Sequence, residues 1–568
     1  DIYLTPDDKW RLKTELSEII PTLSKAIIYK EDKYFYYHPG INPFALLRAA
    51  FNNLIYFRKT SGASTITMQV ARLLYPKRRT YINKIWEVFQ AFQLEWHYSK
   101  KEILQLYLNL VPYGGNIEGV KSAAFFYFNQ MPHKLSLAQI VTLTIVPNRP
   151  TSLRLGKNNA FIQKERDRWL KRFLKAGVFS EAYVQGALSE TLNAQRQDAP
   201  GKAPHLCTRL HHRYPDQHNI FTFIRPDIQE KVRQLSFDYL QRVKHLGIYN
   251  ASILVLNNEN QRIEAYIGSA DFEDKAHQGE VDGIQGIRSP GSTLKPLVYA
   301  LAMDQGMITP KTVVEDVPEN FSGFEPENFY KNYQGKLTVE QALIQSLNIP
   351  QVRILEKIGL SNFIDEMTRT GFRQVAQEKD RLGLSMVLGG CGVRLEELMA
   401  LYGAFANGGT YLPLSFCQLD SQQREAYQVV SPEAAYALTE MLSQAQRPDL
   451  PNAFENSLRR PKVAWKTGTS FGRKDAWSIG YNAHYTIGVW LGNFDGTGGH
   501  QVVGARVATP LLFEVFNAVD FDRPRDWFRM PKNLSHRWVC SESGQIPQDF
   551  CKNQIIDYYL PNVSQHRK

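Results

Sequence analysis

The chain has 568 residues, 43% hydrophobic and 22% charged, with no low-complexity tract, so it is globular and too long for a single core. No apolar run approaches the length of a membrane span, and the sequence begins without Met or a signal peptide, which reads as a soluble piece of something larger. The net charge of +11 is concentrated: residues 1–190 hold 27 Lys and Arg against 15 Asp and Glu, so this part expects an anionic partner, and it lacks any nucleic-acid-binding motif.

Residues 1–190 read as mostly helical. Ser99-Lys-Lys-Glu102 has the form of a capping box, with Ile103, Leu104, Leu106, Tyr107 and Leu110 following at helical spacing, and Lys164 to Lys175 repeats the pattern with charge on one face. Periodicity then fades, and residues 191–225, with Ala-Pro-Gly-Lys-Ala-Pro at 199–204, read as a linker. Residues 226–525 read as an α+β domain. It opens with a hairpin pattern at 252–256 and 263–267, continues through helices near 338–345 and 395–406, and closes with strands at 476–480 and 485–491 that could join the first hairpin in one sheet. Residues 526–568 form a C-terminal extension.

Ser292-Thr-Leu-Lys295 stands at the expected start of a helix, where the two side chains fall one turn apart and a neutral Lys295 could take the serine proton. Taken alone the pattern is weak, and Ser292 could equally be a cap. Two further elements follow in order: Ser346-Leu-Asn348 after 54 residues, and Lys466-Thr-Gly-Thr469 after 120 more. The order Ser-x-x-Lys, Ser-x-Asn, Lys-Thr-Gly resembles the penicillin-binding proteins and serine β-lactamases. In that reading Ser346 and Asn348 relay a proton and hold a substrate amide. Lys466 attracts a carboxylate, Thr467 and Gly468 admit substrate backbone, and the Ser292 and Thr469 amides form an oxyanion hole.

The basic region carries a second set of motifs. Lys30-Glu-Asp-Lys-Tyr-Phe-Tyr-Tyr-His-Pro-Gly40, Gly62-Ala-Ser-Thr-Ile-Thr-Met-Gln69, Asn83-Lys-Ile-Trp-Glu87 and Tyr107-Leu-Asn-Leu-Val-Pro-Tyr-Gly-Gly115 resemble the four motifs of the family 51 glycosyltransferases. Together with the downstream pattern, nearly the whole chain resembles a class A penicillin-binding protein of the 1C branch. The resemblance implies a lysozyme-like glycosyltransferase domain followed by a β-lactamase-like transpeptidase domain. It makes Glu31 the base for polymerising lipid II and Glu87 an aid to the leaving group. Asp32, Phe35, His38, Arg58, Lys59, Ser64, Thr65, Gln69, Arg72, Lys84, Asn109 and Gly114 become substrate-site candidates, with Lys77 to Arg79 as a further cationic run. Asn83 stands where the family's third motif usually has Arg.

Other consequences of the resemblance are a Ser292 acyl-enzyme formed with β-lactams or stem peptides, and inhibition of the first domain by moenomycin-type compounds. No cofactor is tightly held, and a divalent cation, Mg²⁺ or Mn²⁺, could enter on the Glu31 or Glu87 side with the diphosphate. The expected setting is the outer face of the cytoplasmic membrane, reached through an N-terminal anchor preceding residue 1. Segments 44–51 and 54–57 could touch lipid or pack in a core, and the C-terminal extension would begin a further domain. Cys540 and Cys551 could be bridged or remain free thiols. A β-lactam-binding sensor and a lysozyme-like hydrolase are the rival readings.

Overall fold

The computed structural model describes residues 2, 4, 5, 7–43, 64–78, 80–422, 424–447, 460–521, 526–549 and 551–564. They fall into two compact units, 1–201 and 202–568.

Unit 1 is built on helices α1 (Pro21–Glu31), α2 (Ile66–Leu74), α3 (Tyr81–His97), α4 (Lys100–Leu110), α5 (Val120–Phe128), α6 (Leu137–Ile145), α7 (Asn159–Lys175) and α8 (Glu181–Ser189). Helix α6 is apolar around most of its circumference, and eight of its nine residues are buried, Gln139 alone being partly exposed, as a helix with so narrow a polar face must be. Its neighbours α1 and α7 each turn one apolar stripe towards the common core: Leu23, Ala26 and Ile27 from α1, and Ile162, Leu170 and Phe173 from α7. The capping box at Ser99 and Glu102 forms as its sequence indicates. Helix α1 stops at Glu31 because Asp32 leaves helical geometry, and the Asp32 carboxylate then accepts the Ile66 N–H at 3.1 Å. The end of α1 is thereby fastened to the start of α2.

Unit 2 wraps a five-stranded antiparallel sheet in helices on both faces. Its strands are β1 (Asn250–Asn257), β2 (Arg262–Ile267), β3 (Ala464–Thr469), β4 (Asp475–Tyr481) and β5 (Tyr485–Gly492), in the order β2-β1-β5-β4-β3. Pairing of Ile253 with Val489 joins the two sequence-distant hairpins, so that β3 lies at an edge. Side chains alternate across the pleat. Ile253 and Val255 face α10 (Pro226–Val243) and α16 (Thr509–Val519), whereas Leu254 and Leu256 face the cluster containing α11 (Lys295–Asp304), α14 (Leu395–Ala406) and α15 (Pro432–Ser443).

Two sequence expectations change here. The segment 191–225 is not a free linker: Leu192 and Ala194 lie in the core of unit 1, while α9 (Pro204–Arg213) sends Leu206 and Leu210 into the core of unit 2. A ten-residue helix with two such anchors gives too short a pattern to stand out. Residues 526–564 likewise pack on unit 2. Trp527 Nε1 donates to Glu440 at 2.5 Å, and strands β6 (Ser535–Cys540) and β7 (Gln554–Tyr559) form a hairpin in which the Asp557 carboxylate accepts the Lys311 N–H at 3.0 Å. Cys540 and Cys551 are free thiols in side-chain hydrogen-bond contact, which draws the Cys540 thiol down to about 7.

Candidate active sites

In unit 1, α2 supplies one face to two carboxylates. Gln69 and Arg72 are one turn apart on it. Gln69 Nε2 donates to Glu31 Oε2 at 3.0 Å, and Arg72 Nη1 lies 4.0 Å from Glu87 Oε1. Lys84, one turn before Glu87 on α3, donates to Glu87 Oε1 at 2.5 Å and to Ser64 Oγ at 2.7 Å. The other oxygen of Glu31 is held by Lys30, whose side chain is buried and whose pKa burial pulls down. Both carboxylates thus sit among cations, a donor set suited to a diphosphate. It does not suit a divalent cation held by the protein, and the described residues contain no cluster of three His, Cys, Asp or Glu that could hold one.

Several residues expected to touch substrate have structural partners within the fold. Asp32 and His38 are buried together, His38 Nε2 lying 2.9 Å from Asp32 Oδ1, and they join α1 to α2. Phe35 is core, with Lys100 Nζ 4.6 Å above its ring. Thr65 caps α2 by accepting the Met68 N–H and donates to Gly40 O at 2.5 Å. Asn109 is taken up by the Thr14 backbone, accepting its N–H at 2.7 Å and donating to its carbonyl at 2.9 Å. Gly114 has φ +100°, and a Cβ there would stand 2.9 Å from Pro150 O, so the loop demands glycine irrespective of substrate. Arg58, Lys59 and Arg79 lie outside the described residues, as do segments 44–51 and 54–57.

In unit 2, Ser292 lies in a 3₁₀ turn, Gly291–Leu294, that leads into α11 rather than within the helix proper. The turn is tightly seated. Gly291 has φ +55°, and a Cβ there would be 2.6 Å from Thr469 N, which brings the serine against the end of β3. Gly468 answers from the other side, since a Cβ on it would meet Pro290 O at 2.4 Å. Its smallness therefore serves the serine turn itself, more directly than the substrate passage expected of it. Trp477 Nε1 donates to Ser289 O, and Tyr402 OH to Thr293 O, both at 2.8 Å.

Lys295 is completely buried. Its amine donates away from Ser292, to Asn348 Oδ1 at 2.6 Å, Ser346 O at 2.7 Å and Leu347 O at 3.0 Å, and stands 3.4 Å from Ser346 Oγ. The direct contact expected from a one-turn separation is replaced by this cage of neutral acceptors. On the other side of Ser346 Oγ, Lys466 Nζ donates to it at 2.8 Å. Burial, and then the charge of Lys466, hold Lys295 well below the usual lysine range, with Asp316 opposing. Burial alone brings Lys466 down to about 7, so it is no ordinary surface cation.

Ser346 takes a left-handed φ of +57° at the end of α12 (Val339–Ile344), where Ser346 N and Leu347 N donate back to Leu343 O and Ala342 O. Glycine usually occupies this position, so the serine is kept there at a cost. Asn348, just ahead of α13 (Ile349–Ile358), is steadied by its own N–H to Asn328 Oδ1 at 2.8 Å, and Asn328 is in turn fixed by Asp316 at 2.9 Å.

Residues 2–174 match the family described as Transglycosylase, and residues 251–508 the family described as Penicillin binding protein transpeptidase domain. The chain is 35% identical over 565 residues to penicillin-binding protein 1C of Escherichia coli strain K12, covering 98% of this chain and 72% of that protein. The chain belongs to the class A penicillin-binding proteins, in the 1C branch. Penicillin-binding protein 1F of Bacillus subtilis strain 168 is 26% identical over 566 residues, covering 92% and 76% of the two chains. The crystal structure of penicillin-binding protein 1A from Haemophilus influenzae shares the fold, with a TM-score of 0.61 at 17% identity over 98% of this chain and 96% of that one. As a class A penicillin-binding protein, the chain carries glycosyltransferase activity in unit 1 and transpeptidase activity, with β-lactam binding, in unit 2. The sensor and hydrolase readings give way to a bifunctional enzyme.

Sequence reasoning passed over Lys30 and the Asn328–Asp316 support beneath Asn348. Lys30 had a signal, standing next to Glu31, but adjacent residues on a helix point in different directions and predict no contact. Asn328 is 20 residues from Asn348, in a loop without periodicity.

Proposed function

We propose that this penicillin-binding protein polymerises lipid II through Glu31 and cross-links stem peptides through Ser292. In unit 1 Glu31 accepts the proton of the acceptor sugar hydroxyl as that oxygen bonds to the donor's anomeric carbon and the bond to the diphosphate breaks. Arg72 and Lys84 neutralise the departing phosphates, with Glu87 and Ser64 holding Lys84 in place. Mg²⁺ or Mn²⁺ belongs to the substrate side of this reaction, carried by the diphosphate. Moenomycin-type inhibitors would occupy the same cationic surface.

In unit 2 a neutral Lys295 receives the Ser292 proton as the serine oxygen attacks a peptide or β-lactam carbonyl. The Ser292 and Thr469 N–H groups receive the developing oxyanion, and the proton passes to the leaving amine. An acceptor amine then takes the acyl group. Ser346 Oγ, between the two lysine amines, is the proton path that the lack of a direct Lys295–Ser292 bond calls for. The observation that carries this reading is the buried Lys295 amine, surrounded by neutral acceptors with a second lysine behind Ser346.

Both units work at the outer face of the cytoplasmic membrane in this reading. No helix among the described residues is long and apolar enough to cross a membrane. Helix α3 nevertheless exposes an apolar stripe at helical spacing, with Ile85 70%, Trp86 51%, Phe89 53% and Trp96 87% exposed, which suits a surface lying against lipid. The test is incubation with labelled lipid II and Mg²⁺, with and without penicillin, followed by analysis of chain length and cross-links. Polymer with penicillin-sensitive cross-links supports both halves, polymer never cross-linked rejects the peptide substrate, and shortened glycan rejects polymerisation.

A further inference from the structure

Glu31 is the buried base of the proposed glycosyl transfer, and its two oxygens are held by different elements. Gln69 of α2 takes Oε2 at 3.0 Å, and Lys30, the preceding residue of α1, takes Oε1. Only 2% of the Lys30 side chain and 8% of the Glu31 side chain is exposed. Lys30 is covered by the Trp169 ring of α7, its amine 5.6 Å from the ring centroid. The ammonium is therefore turned inward and shielded, unlike Arg72 and Lys84, which are open enough to meet phosphate.

Burying a carboxylate is costly unless a counter-charge and hydrogen bonds accompany it. A base must also present one lone pair to the incoming hydroxyl in a fixed direction. Two phenols also feel the Glu31 charge, Tyr107 on α4 and Tyr113 just beyond it, both raised by burial first and by Glu31 second. Arg72 is felt at Tyr107. The Tyr113 hydroxyl is buried without a hydrogen-bond partner. Of these groups, Lys30 alone combines a positive charge with direct contact to the Glu31 carboxylate.

We infer that Lys30 is the positioning residue of the glycosyltransferase base: a buried counter-ion that, with Gln69, fixes the Glu31 carboxylate and keeps a positive charge against it. The inference rests on Glu31 being the base. Removing a cation from beside a carboxylate disfavours its charged form, so the acid limb of the pH–rate profile moves to higher pH.

The experiment measures lipid II polymerisation by the full chain from pH 5.5 to pH 9 for Lys30→Met, Lys30→Gln, Lys30→Arg and Glu31→Gln, with circular dichroism to report folding. Lys30→Met is expected to lose about tenfold in kcat at neutral pH with KM within about threefold. Its acid limb is expected to rise by about one pH unit, with Lys30→Arg restoring the wild-type limb. If Lys30→Met does not fold, the Gln and Arg variants decide: a displaced limb in Gln and a normal one in Arg supports the role, and equal limbs in both overturn it. An inactive Glu31→Gln beside a Lys30→Met of unchanged profile removes the role of Lys30 alone. A Glu31→Gln enzyme that polymerises normally removes the base assignment, and this inference with it.

Discussion

Lys466 shows how chemistry and stability oppose each other in a single side chain. Its folded pKa lies at about 7 against an ordinary 10.5, because burial penalises its charge. Between those values the unfolded chain holds a proton that the native chain sheds, so stability rises with pH across that window, and the penalty is greatest below pH 7. At about 1.4 kcal/mol per pKa unit, and allowing for the lost hydrogen bonds from Lys466 Nζ to Ser346 Oγ at 2.8 Å and to Thr467 O at 3.0 Å, Lys466→Met should stabilise unit 2 by about 2 kcal/mol at pH 6. The gain should shrink as pH rises towards 10.5. Denaturant unfolding at pH 6 and pH 9 tests this, and no gain at pH 6 would count against a strained buried cation. The same variant should acylate with penicillin about a hundredfold more slowly, since the Ser346 path loses its second amine. A Lys295 kept neutral by burial also predicts that wild-type acylation slows as pH falls and that amine becomes charged, which stopped-flow measurement across pH can follow.

At the scale of elements, strand β3 is shaped by what lies against it as much as by its place at the sheet edge. Gly468→Ala would put a methyl carbon 2.4 Å from the Pro290 carbonyl, and neither partner is a flexible side chain. The serine turn must then lift away from β3. Unit 2 should lose roughly 1–3 kcal/mol, and penicillin labelling should slow by more than about tenfold. Labelling at the wild-type rate would show that the turn and strand can part without harm. Helix α3 gives the complementary case, because Ile85, Phe89 and Trp96 follow a helical period that would ordinarily mark a core, yet they face outward while Leu94 packs inward. Replacing Ile85 and Trp96 with Ser should leave circular dichroism unchanged and weaken binding to anionic lipid vesicles by about tenfold per side chain. Unchanged cosedimentation with vesicles would remove the stripe as a lipid contact.

For the whole molecule, the separation into two units predicts that their chemistries are separately removable. Glu31→Gln should stop glycan polymerisation and leave covalent penicillin labelling intact, and Ser292→Ala should do the reverse. Product gels and intact-mass spectra measure both, and loss of labelling in Glu31→Gln would show a dependence between the sites.

The amino-acid sequence determined the two-part organisation, the motifs that hold Glu31, Ser292, Lys295, Ser346 and Lys466, and the strands at both ends of unit 2. Those features rest on short contiguous motifs and local periodicity, which survive in one dimension. Only the tertiary structure decided that Asp32, His38, Phe35 and Asn109 fasten helices and backbone, because a motif reports which residues occur together and leaves open which way each side chain turns. It also decided that Lys295 and Lys466 share one hydroxyl, since desolvation depends on everything packed around an amine. Residues 191–225 and the segment leading to the C-terminal hairpin pack on the two units for the same reason: a few anchors in a short segment, such as Leu206, Leu210 and Trp527, are ambiguous until the surface that receives them is assembled.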